Sequence, residues 1–176
     1  RLMREQGRTH CMIHFGNAEP LINWRILQQV LEYCKTFDSL SFEFAINTNL
    51  VLLTREIAEV LKRHRVKIAT SLDGTRNAND AIRVTKGGQG TYDRIISKFD
   101  LLVDIGYPLD GFSTTVTADN YALINEDLID VAIERGMTSI AFDFDLIGLV
   151  DIPVHERGTK LMNLKRYANR HGIEFF

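Results

Sequence analysis

The sequence predicts an α/β fold with parallel strands, and three observations support this class. Short apolar runs of strand length alternate with longer segments of helical spacing along the chain. The helix-like segments end in one recurrent form, at Gly106, Gly136 and Gly172, and a strand-like run follows each ending. Glycine suits the left-handed position just after a helix because it has no Cβ. A fourth junction carries Arg65 where the glycine would stand, and the repeat predicts β-α units joined by right-handed crossovers.

The elements follow one another in a regular order. Strands are predicted near residues 10–16, 41–47, 66–72, 111–117, 138–144 and 173–176. Helices are predicted near residues 21–35, 55–64, 91–105, 121–135 and 157–171. Ile26, Val30 and Leu31 fall on one face of the first helix, and Thr54 and Thr91 stand where N-caps belong. No linker or low-complexity segment divides the chain, so residues 1–176 are predicted to form a single domain.

The composition is that of an ordinary globular protein and argues against several kinds of partner. Hydrophobic residues make up 45% of the chain, and 21 basic against 23 acidic residues leave a net charge of −2. No block rich in lysine and arginine stands out beyond residues 62–65 at a helix end, so no nucleic-acid surface is predicted. No apolar stretch reaches the roughly 18 residues that a membrane helix needs. Cys11 and Cys34 form neither a disulfide framework nor a C-x-x-C pair, which favours buried thiols and a reducing cytoplasm.

Polar residues collect where the predicted strands end. Parallel α/β folds bind ligands at the carboxyl ends of their strands, and five such ends here are rich in Asn, Thr, Ser, Asp and Glu: residues 16–20, 47–49, 71–74, 115–120 and 143–145. Turn and cap chemistry explains any one of these segments taken alone. Five at one edge predict a binding rim, although they do not identify the ligand.

Four motifs in this rim and after it resemble the core of radical S-adenosylmethionine (SAM) enzymes, in the sulfatase-maturase-like SPASM branch that modifies peptides and proteins. That branch carries G-G-E-P, T-N-G, S-L-D-G and an Arg before a K-x-G-x-G/S-[FY] turn. This chain has, in the same order, N-A-E-P at 17–20, T-N-L at 48–50, S-L-D-G at 71–74, and Arg83 ahead of K-G-G-Q-G-T-Y. In two of the motifs glycines are replaced, by Asn17-Ala18 and by Leu50.

The resemblance implies a partial (β/α)6 barrel of TIM type, with parallel strands and its first β-α unit missing. It also implies a SAM site, in which the methionyl ammonium is received by the loop of Gly16, Asn17, Ala18 and Glu19. An ammonium needs carbonyl oxygens and a carboxylate close by, and this loop offers both.

By the same matching, the remaining positions receive other parts of SAM. Ser71 meets the ribose hydroxyls, and Arg83 pairs with the SAM carboxylate. The other positions line the rim or border the adenosine: Asn47, Thr48 and Asp73 on the rim, and Thr115, Thr117 and Leu146 at the adenosine.

The resemblance further implies a [4Fe–4S] cluster on three cysteines in a C-x-x-x-C-x-x-C motif, since thiolates are the ligands of such clusters. Cys11 and Cys34 are 23 positions apart and cannot form that motif. We therefore expect no metal ligands in this chain and no activity from the chain alone. The chain is expected to be a fragment of a radical SAM core barrel, with the cluster in the longer parent protein; the alternative is a truncated, non-catalytic relative. The parent is expected to cleave SAM and to use a 5′-deoxyadenosyl radical to abstract hydrogen from a peptide or protein side chain.

Two other interpretations remain open. One is an acid–base barrel enzyme that uses Glu19, Asp73 or Asp143, although no histidine or lysine partner is evident. The other is a non-catalytic barrel module that binds a peptide. A sheet without its first strand would also expose an edge that invites self-association.

Overall fold

The computed structural model describes residues 6–176 as two compact α/β units, one ending at Ala69 and the other running Thr70–Phe176. Strands in each unit pair in parallel. The predicted α/β class with parallel strands is therefore confirmed. The barrel and the single domain over residues 1–176 stay predictions.

In the described residues, the first unit has a three-stranded sheet and two α-helices. Its strands are β1 (His10–Phe15), β2 (Ser41–Asn47) and β3 (Lys67–Ala69), in the order β1-β2-β3. A 3₁₀ turn (Pro20–Asn23) leads into α1 (Trp24–Cys34), and α2 (Arg55–Arg63) connects β2 to β3. The strands are parallel, so the loops that follow β1 and β2 emerge at the same edge of the sheet.

The second unit also has a parallel three-stranded sheet, with the order β4-β5-β6. Its strands are β4 (Gly111–Val116), β5 (Ser139–Phe144) and β6 (Glu174–Phe175). Its helical elements are α3 (Arg76–Ile82), α4 (Tyr92–Asp104), a 3₁₀ turn (Tyr121–Leu123), α5 (Asp127–Glu134) and α6 (Val154–Arg170). No helix in the described part of the chain is long and apolar enough to cross a membrane.

Strand β4 shows how the sequence gives each sheet two different faces. Phe112, Thr114 and Val116 are buried, while Ser113 and Thr115 alternate with them and are only half-buried. Successive side chains of a strand point to opposite faces. The sheet of the second unit therefore has one buried, mostly apolar face and one polar face.

The recurrent helix endings form one structural motif four times. After α4, the Gly106 N–H donates to the Val103 carbonyl and the Tyr107 N–H to the Leu102 carbonyl, which is the Schellman pattern. The ends of α5 and α6 repeat it around Gly136 and Gly172. These glycines have φ of 67°, 65° and 73°, so the left-handed position predicted for them is confirmed.

The end of α2 makes the same two bonds with an arginine in the glycine position. The Arg65 N–H donates to the Lys62 carbonyl and the Val66 N–H to the Leu61 carbonyl, and Arg65 has φ of 53°. This junction keeps the geometry of the repeat without the residue that best suits it.

The structure differs from the predicted helices in three respects. Helix α3 was not predicted, and the helix expected over 121–135 begins at Asp127 because Ile124 is extended, with ψ of 123°. Ile26 is 61% exposed rather than on the buried face. Thr54 does cap α2, accepting from the Ile57 N–H at 3.3 Å, whereas Thr91 makes no capping bond.

Candidate functional site

Glu19 makes hydrogen bonds within and between the two strand-end loops of the first unit. Its Oε1 accepts from the Leu21 N–H at 3.1 Å and from the Thr48 hydroxyl at 2.6 Å, and its Oε2 accepts from the Asn49 N–H at 2.8 Å. The first bond caps the 3₁₀ turn. The other two join the loop after β1 to the loop after β2, across 29 residues of sequence for Thr48 and 30 for Asn49.

The loop ahead of Glu19 leaves its backbone carbonyls open. Asn17 has φ of 70° and is exposed together with Ala18. Within residues 6–176, no hydrogen bond is made to the carbonyls of Gly16, Asn17 or Ala18. Gly16 fits closely here, because a Cβ on it would lie 3.3 Å from the His14 ring.

The loop after β2 is fixed by its own side chains. Thr48 is 3% exposed, and its hydroxyl accepts from the Leu50 N–H at 3.1 Å while it donates to Glu19. Leu50 is fully buried with φ of 61°, the conformation that the glycine of a T-N-G motif adopts without strain. Asn47, the last residue of β2, is exposed.

Asp73 is the most deeply held carboxylate of the second unit. It is 3% exposed, its Oδ2 accepts from Arg83 Nε at 2.5 Å, and its Oδ1 accepts from the Thr115 N–H at 2.8 Å. Gly74 follows it with φ of 123°, and a Cβ there would lie 2.3 Å from the Ala78 Cβ. Asp73 therefore sits beneath the surface rather than on it, a placement that its position in the sequence does not reveal.

Two buried asparagines make hydrogen bonds to the backbone of Asp73. Asn79 Oδ1 accepts from the Asp73 N–H at 3.3 Å, and Asn120 Nδ2 donates to the Asp73 carbonyl at 3.0 Å and to the Thr115 carbonyl at 2.8 Å. Both asparagines are fully buried. Sequence analysis missed Asn79, because nothing in its segment distinguishes an inward-facing asparagine from a solvated one.

Ser71, Thr115 and Leu146 are placed differently from one another. The Ser71 hydroxyl lies 3.0 Å from the Ser113 hydroxyl, and these two residues form a parallel bridge. Thr115 is on the same face of β4 as Ser113. Leu146 is 70% exposed in the turn after β5, and the Thr117 hydroxyl is buried without a hydrogen-bond partner among the described residues.

A family model described as the radical SAM superfamily matches residues 2–132. The chain belongs to the radical SAM superfamily. Among curated relatives, the radical SAM cyclopropyl synthase TigE of Paramaledivibacter caminithermalis is 28% identical over 92% of this chain and 34% of its own length. An uncharacterised protein of Methanocaldococcus jannaschii is 30% identical over 74% of this chain and 45% of its own. A cysteine-type anaerobic sulfatase-maturating enzyme of Clostridium novyi is 21% identical over 55% of this chain and 27% of its own.

Solved structures share the fold of this radical SAM chain. The protein anSMEcpe with bound AdoMet and the Kp18Cys peptide superposes with a TM-score of 0.79 at 16% identity, covering 96% of this chain and 50% of that one. Streptococcus suis SuiB bound to its precursor peptide SuiA gives 0.65 at 18%, covering 98% and 39%. The predicted resemblance to a radical SAM core of the sulfatase-maturase branch is confirmed. The chain spans about a third to a half of the length of TigE, the Methanocaldococcus protein and these two structures.

The cysteines of this radical SAM chain do not fit the family's iron–sulfur cluster. Three thiolates are needed and the sequence contains two, Cys11 and Cys34. Cys34 is buried, and burial raises the pKa of its thiol, which disfavours the thiolate form that binds metal. Between residues 6 and 176, no cluster of three or more His, Cys, Asp and Glu side chains could hold a metal ion.

A separate cavity of about 700 Å³ lies within the second unit, between residues 121–126 and α6. Lys160 lies over the Tyr121 ring at 4.5 Å and donates to the Tyr121 carbonyl. Burial lowers the pKa of Lys160. None of the predicted site residues lines this cavity, so it is a feature apart from the strand-end loops.

Proposed function

We propose that this chain is the SAM-binding core of a radical SAM enzyme that modifies a peptide or protein side chain by hydrogen abstraction. Superfamily membership supports the SAM-binding part. The structural neighbours bound to peptides support a peptide partner. Because the chain spans only part of the length of its relatives, the catalytic activity is proposed for a longer parent protein.

The observation that carries the proposal is the hydrogen bonding around Glu19. A carboxylate offers about four acceptor positions, and three of those on Glu19 are used. The fourth lies on Oε2, beside a loop whose three carbonyls receive no hydrogen bond from the described residues. An ammonium has three N–H donors and a positive charge, so we assign the methionyl ammonium of SAM to this loop.

Residues of the second unit carry separate parts of the proposal. The Nη1 and Nη2 atoms of Arg83 make no hydrogen bond within residues 6–176, and its side chain is 30% exposed. A guanidinium edge of this kind suits the SAM carboxylate. We assign the ribose hydroxyls to Ser71 and the adenosine border to Thr115, Thr117 and Leu146. In the first unit, Asn47 and Thr48 border the ammonium loop.

The iron–sulfur cluster is proposed to lie outside these 176 residues. The two cysteines of this chain do not fit it, so no reaction step is assigned to residues of this chain beyond holding SAM. A partial (β/α)6 barrel is the proposed architecture of the core. The cytoplasm is the proposed compartment, which the two free cysteines support.

The test of the proposal is a comparison of SAM with 5′-methylthioadenosine, which lacks the amino-acid part of SAM. Glu19→Gln removes the charge but keeps an acceptor. It should weaken SAM binding by a factor of about 10 to 100, since a hydrogen bond to a charged group contributes about 1.5–3 kcal/mol. Binding of methylthioadenosine should not change. Ligand-observed NMR titration measures both dissociation constants.

Glu59→Gln is the matched control, because Glu59 is exposed on α2 of the same unit. It should leave both dissociation constants unchanged. Unaltered SAM affinity in Glu19→Gln would rule out the assignment of the ammonium to this loop. An equal loss for SAM and methylthioadenosine would instead indicate that Glu19 only holds the two loops together.

A peptide-binding module without SAM chemistry is the second candidate. The turn after β5 favours it, because Leu146, Ile147 and Val150 are 70%, 87% and 71% exposed, and exposed apolar patches mark interaction sites. Peptide affinity that is independent of SAM would support this candidate. The acid–base alternative has less support, since both oxygens of Asp73 already accept hydrogen bonds.

A further inference from the structure

We propose that Asp73 is a positioning residue, which holds the Nε edge of Arg83 so that its two terminal amino groups face the SAM carboxylate. This inference rests on the proposed function of Arg83. It changes the role expected of Asp73, from a residue that lines the rim to one that acts through Arg83 without touching the cofactor.

The burial of Asp73 argues against direct contact with SAM and supports a role that acts through Arg83. The Asp73 side chain is 4% exposed and that of Arg83 is 30% exposed. The carboxylate therefore lies under the guanidinium. A buried carboxylate is costly unless it is paired and hydrogen-bonded, and Asp73 has both kinds of partner, from Arg83 and from the Thr115 N–H.

The backbone of Arg83 is held as well as its side chain. The Arg83 N–H donates to the Asn79 carbonyl at 2.7 Å, and the Thr91 hydroxyl donates to the Arg83 carbonyl at 3.1 Å. Asn79 Nδ2 in turn donates to Thr91 Oγ1 at 3.2 Å. The backbone of Arg83 is thus fixed on both sides of its side chain before any ligand binds. The Nε bond to Asp73 restricts the side chain itself, which lowers the entropy cost of ordering it on binding.

The chemistry of Asp73 predicts that asparagine cannot take over its contact with Arg83. Each carboxylate oxygen accepts from a different N–H, one on Arg83 and one on Thr115. An asparagine side chain has one oxygen and one NH₂ group, so it can satisfy only one of the two donors. The Thr115 N–H is in the strand backbone and cannot turn away, whereas Arg83 is partly exposed and can. Asp73→Asn should therefore release Arg83.

The experiment compares SAM with decarboxylated SAM, which keeps the ammonium and the nucleoside but lacks the carboxylate. Asp73→Asn should weaken SAM binding about tenfold and leave the affinity for decarboxylated SAM unchanged. Adding Asp73→Asn to Arg83→Gln should weaken SAM binding no further, because the two residues act as a unit. A merely structural role would weaken both ligands equally, and that result would overturn the inference.

Asp93→Asn is the matched control. Asp93 is an exposed carboxylate that pairs with Arg76 in the same unit, so the same chemical change at an exposed pair should leave SAM affinity unaltered. If Arg83→Gln weakens SAM binding and Asp73→Asn does not, only the positioning role fails. If neither variant changes SAM affinity, the assignment of the carboxylate to Arg83 fails instead.

A second measurement needs no substitution at Asp73. The Nε proton of Arg83 should exchange with solvent at least about tenfold more slowly than that of Arg76, because Asp73 accepts it in a buried site. Arg76 is the internal reference, since its contacts with Asp93 use Nη1 and Nη2. Equal exchange rates in proton-detected ¹⁵N NMR would contradict the positioning role even if Asp73→Asn does not fold.

Discussion

Replacing Arg65 with glycine should make the protein more stable. Arg65 has φ of 53° at the end of α2, and the left-handed conformation costs a non-glycine residue about 1–2 kcal/mol. Glycine itself lowers stability by about 0.5–1 kcal/mol, because it gives the unfolded chain more conformational entropy. Arg65 is exposed, and Lys62 and Arg63 remain in the last turn of the helix. The expected net gain in the free energy of unfolding is therefore about 0.5–1 kcal/mol.

Urea denaturation followed by circular dichroism measures this gain. The matched control is the reverse change, Gly172→Arg, at the end of α6. Gly172 has φ of 73°, and nothing lies within 4 Å of a Cβ placed there. That variant should lose about as much stability as Arg65→Gly gains. A destabilised Arg65→Gly protein, or one with an unchanged unfolding midpoint, would refute the reasoning that backbone strain dominates at this position.

Three other predictions concern charge, burial and the sheet edge. A hydrogen bond from His64 lowers the pKa of Glu32 below its ordinary value of 4.5. This bond therefore stabilises the fold above pH 4.5, and its contribution is lost as the pH falls through the folded pKa. Glu32→Gln should flatten the decline of stability in acid, measured by urea denaturation, and an unchanged decline would contradict this prediction. Asn120→Asp should lower the free energy of unfolding by about 2–3 kcal/mol, because the Nδ2 group of Asn120 donates to two carbonyls. Asn77→Asp, at an exposed position, should cost almost nothing. Equal losses would exclude a specific role for Asn120. In the described residues β1 pairs only with β2, so its other edge is open. We expect concentration-dependent self-association in analytical ultracentrifugation, and Met12→Lys on this edge strand should reduce it. A monomer at every concentration would exclude self-association through this edge.

The positions of the strands could be predicted because each strand carries its own signal. In β4, Phe112 and Val116 fall four positions apart on the face that the structure buries, and Ser113 and Thr115 fall on the other face. The helix-ending glycines carry a comparable signal, because only a left-handed residue completes the Schellman pattern. Local chemistry decides these features, so a single sequence is enough to find them.

Helix α3 could not be predicted because its stability comes from tertiary contacts. Its sequence, RNANDAI, has little apolar periodicity, and Asn79 at its centre is buried by hydrogen bonds to the Asp73 N–H and Thr91. The buried face of α1 also depends on tertiary contacts. Leu27, Leu31 and Cys34 form that face, and Ile26 is exposed. Neighbouring positions on a helix can have similar hydrophobicity, so burial depends on what the helix packs against.

The candidate site was predictable in its residue types but not in its connections. Sequence reasoning found Glu19 and Thr48 as strand-end residues, but their hydrogen bond spans 29 positions and has no local signal. The three non-glycine residues with positive φ are Asn17, Leu50 and Arg65 in the described chain, and each occupies a place where the pattern expects glycine. The backbone conformation of these positions is thus kept although the glycine is not.

A crystal structure of this chain soaked with SAM tests the central claim most directly. Binding through the Glu19 loop predicts the methionyl nitrogen within about 2.7–3.2 Å of Glu19 Oε2. SAM at full occupancy with its amino group turned away from Glu19 would contradict it.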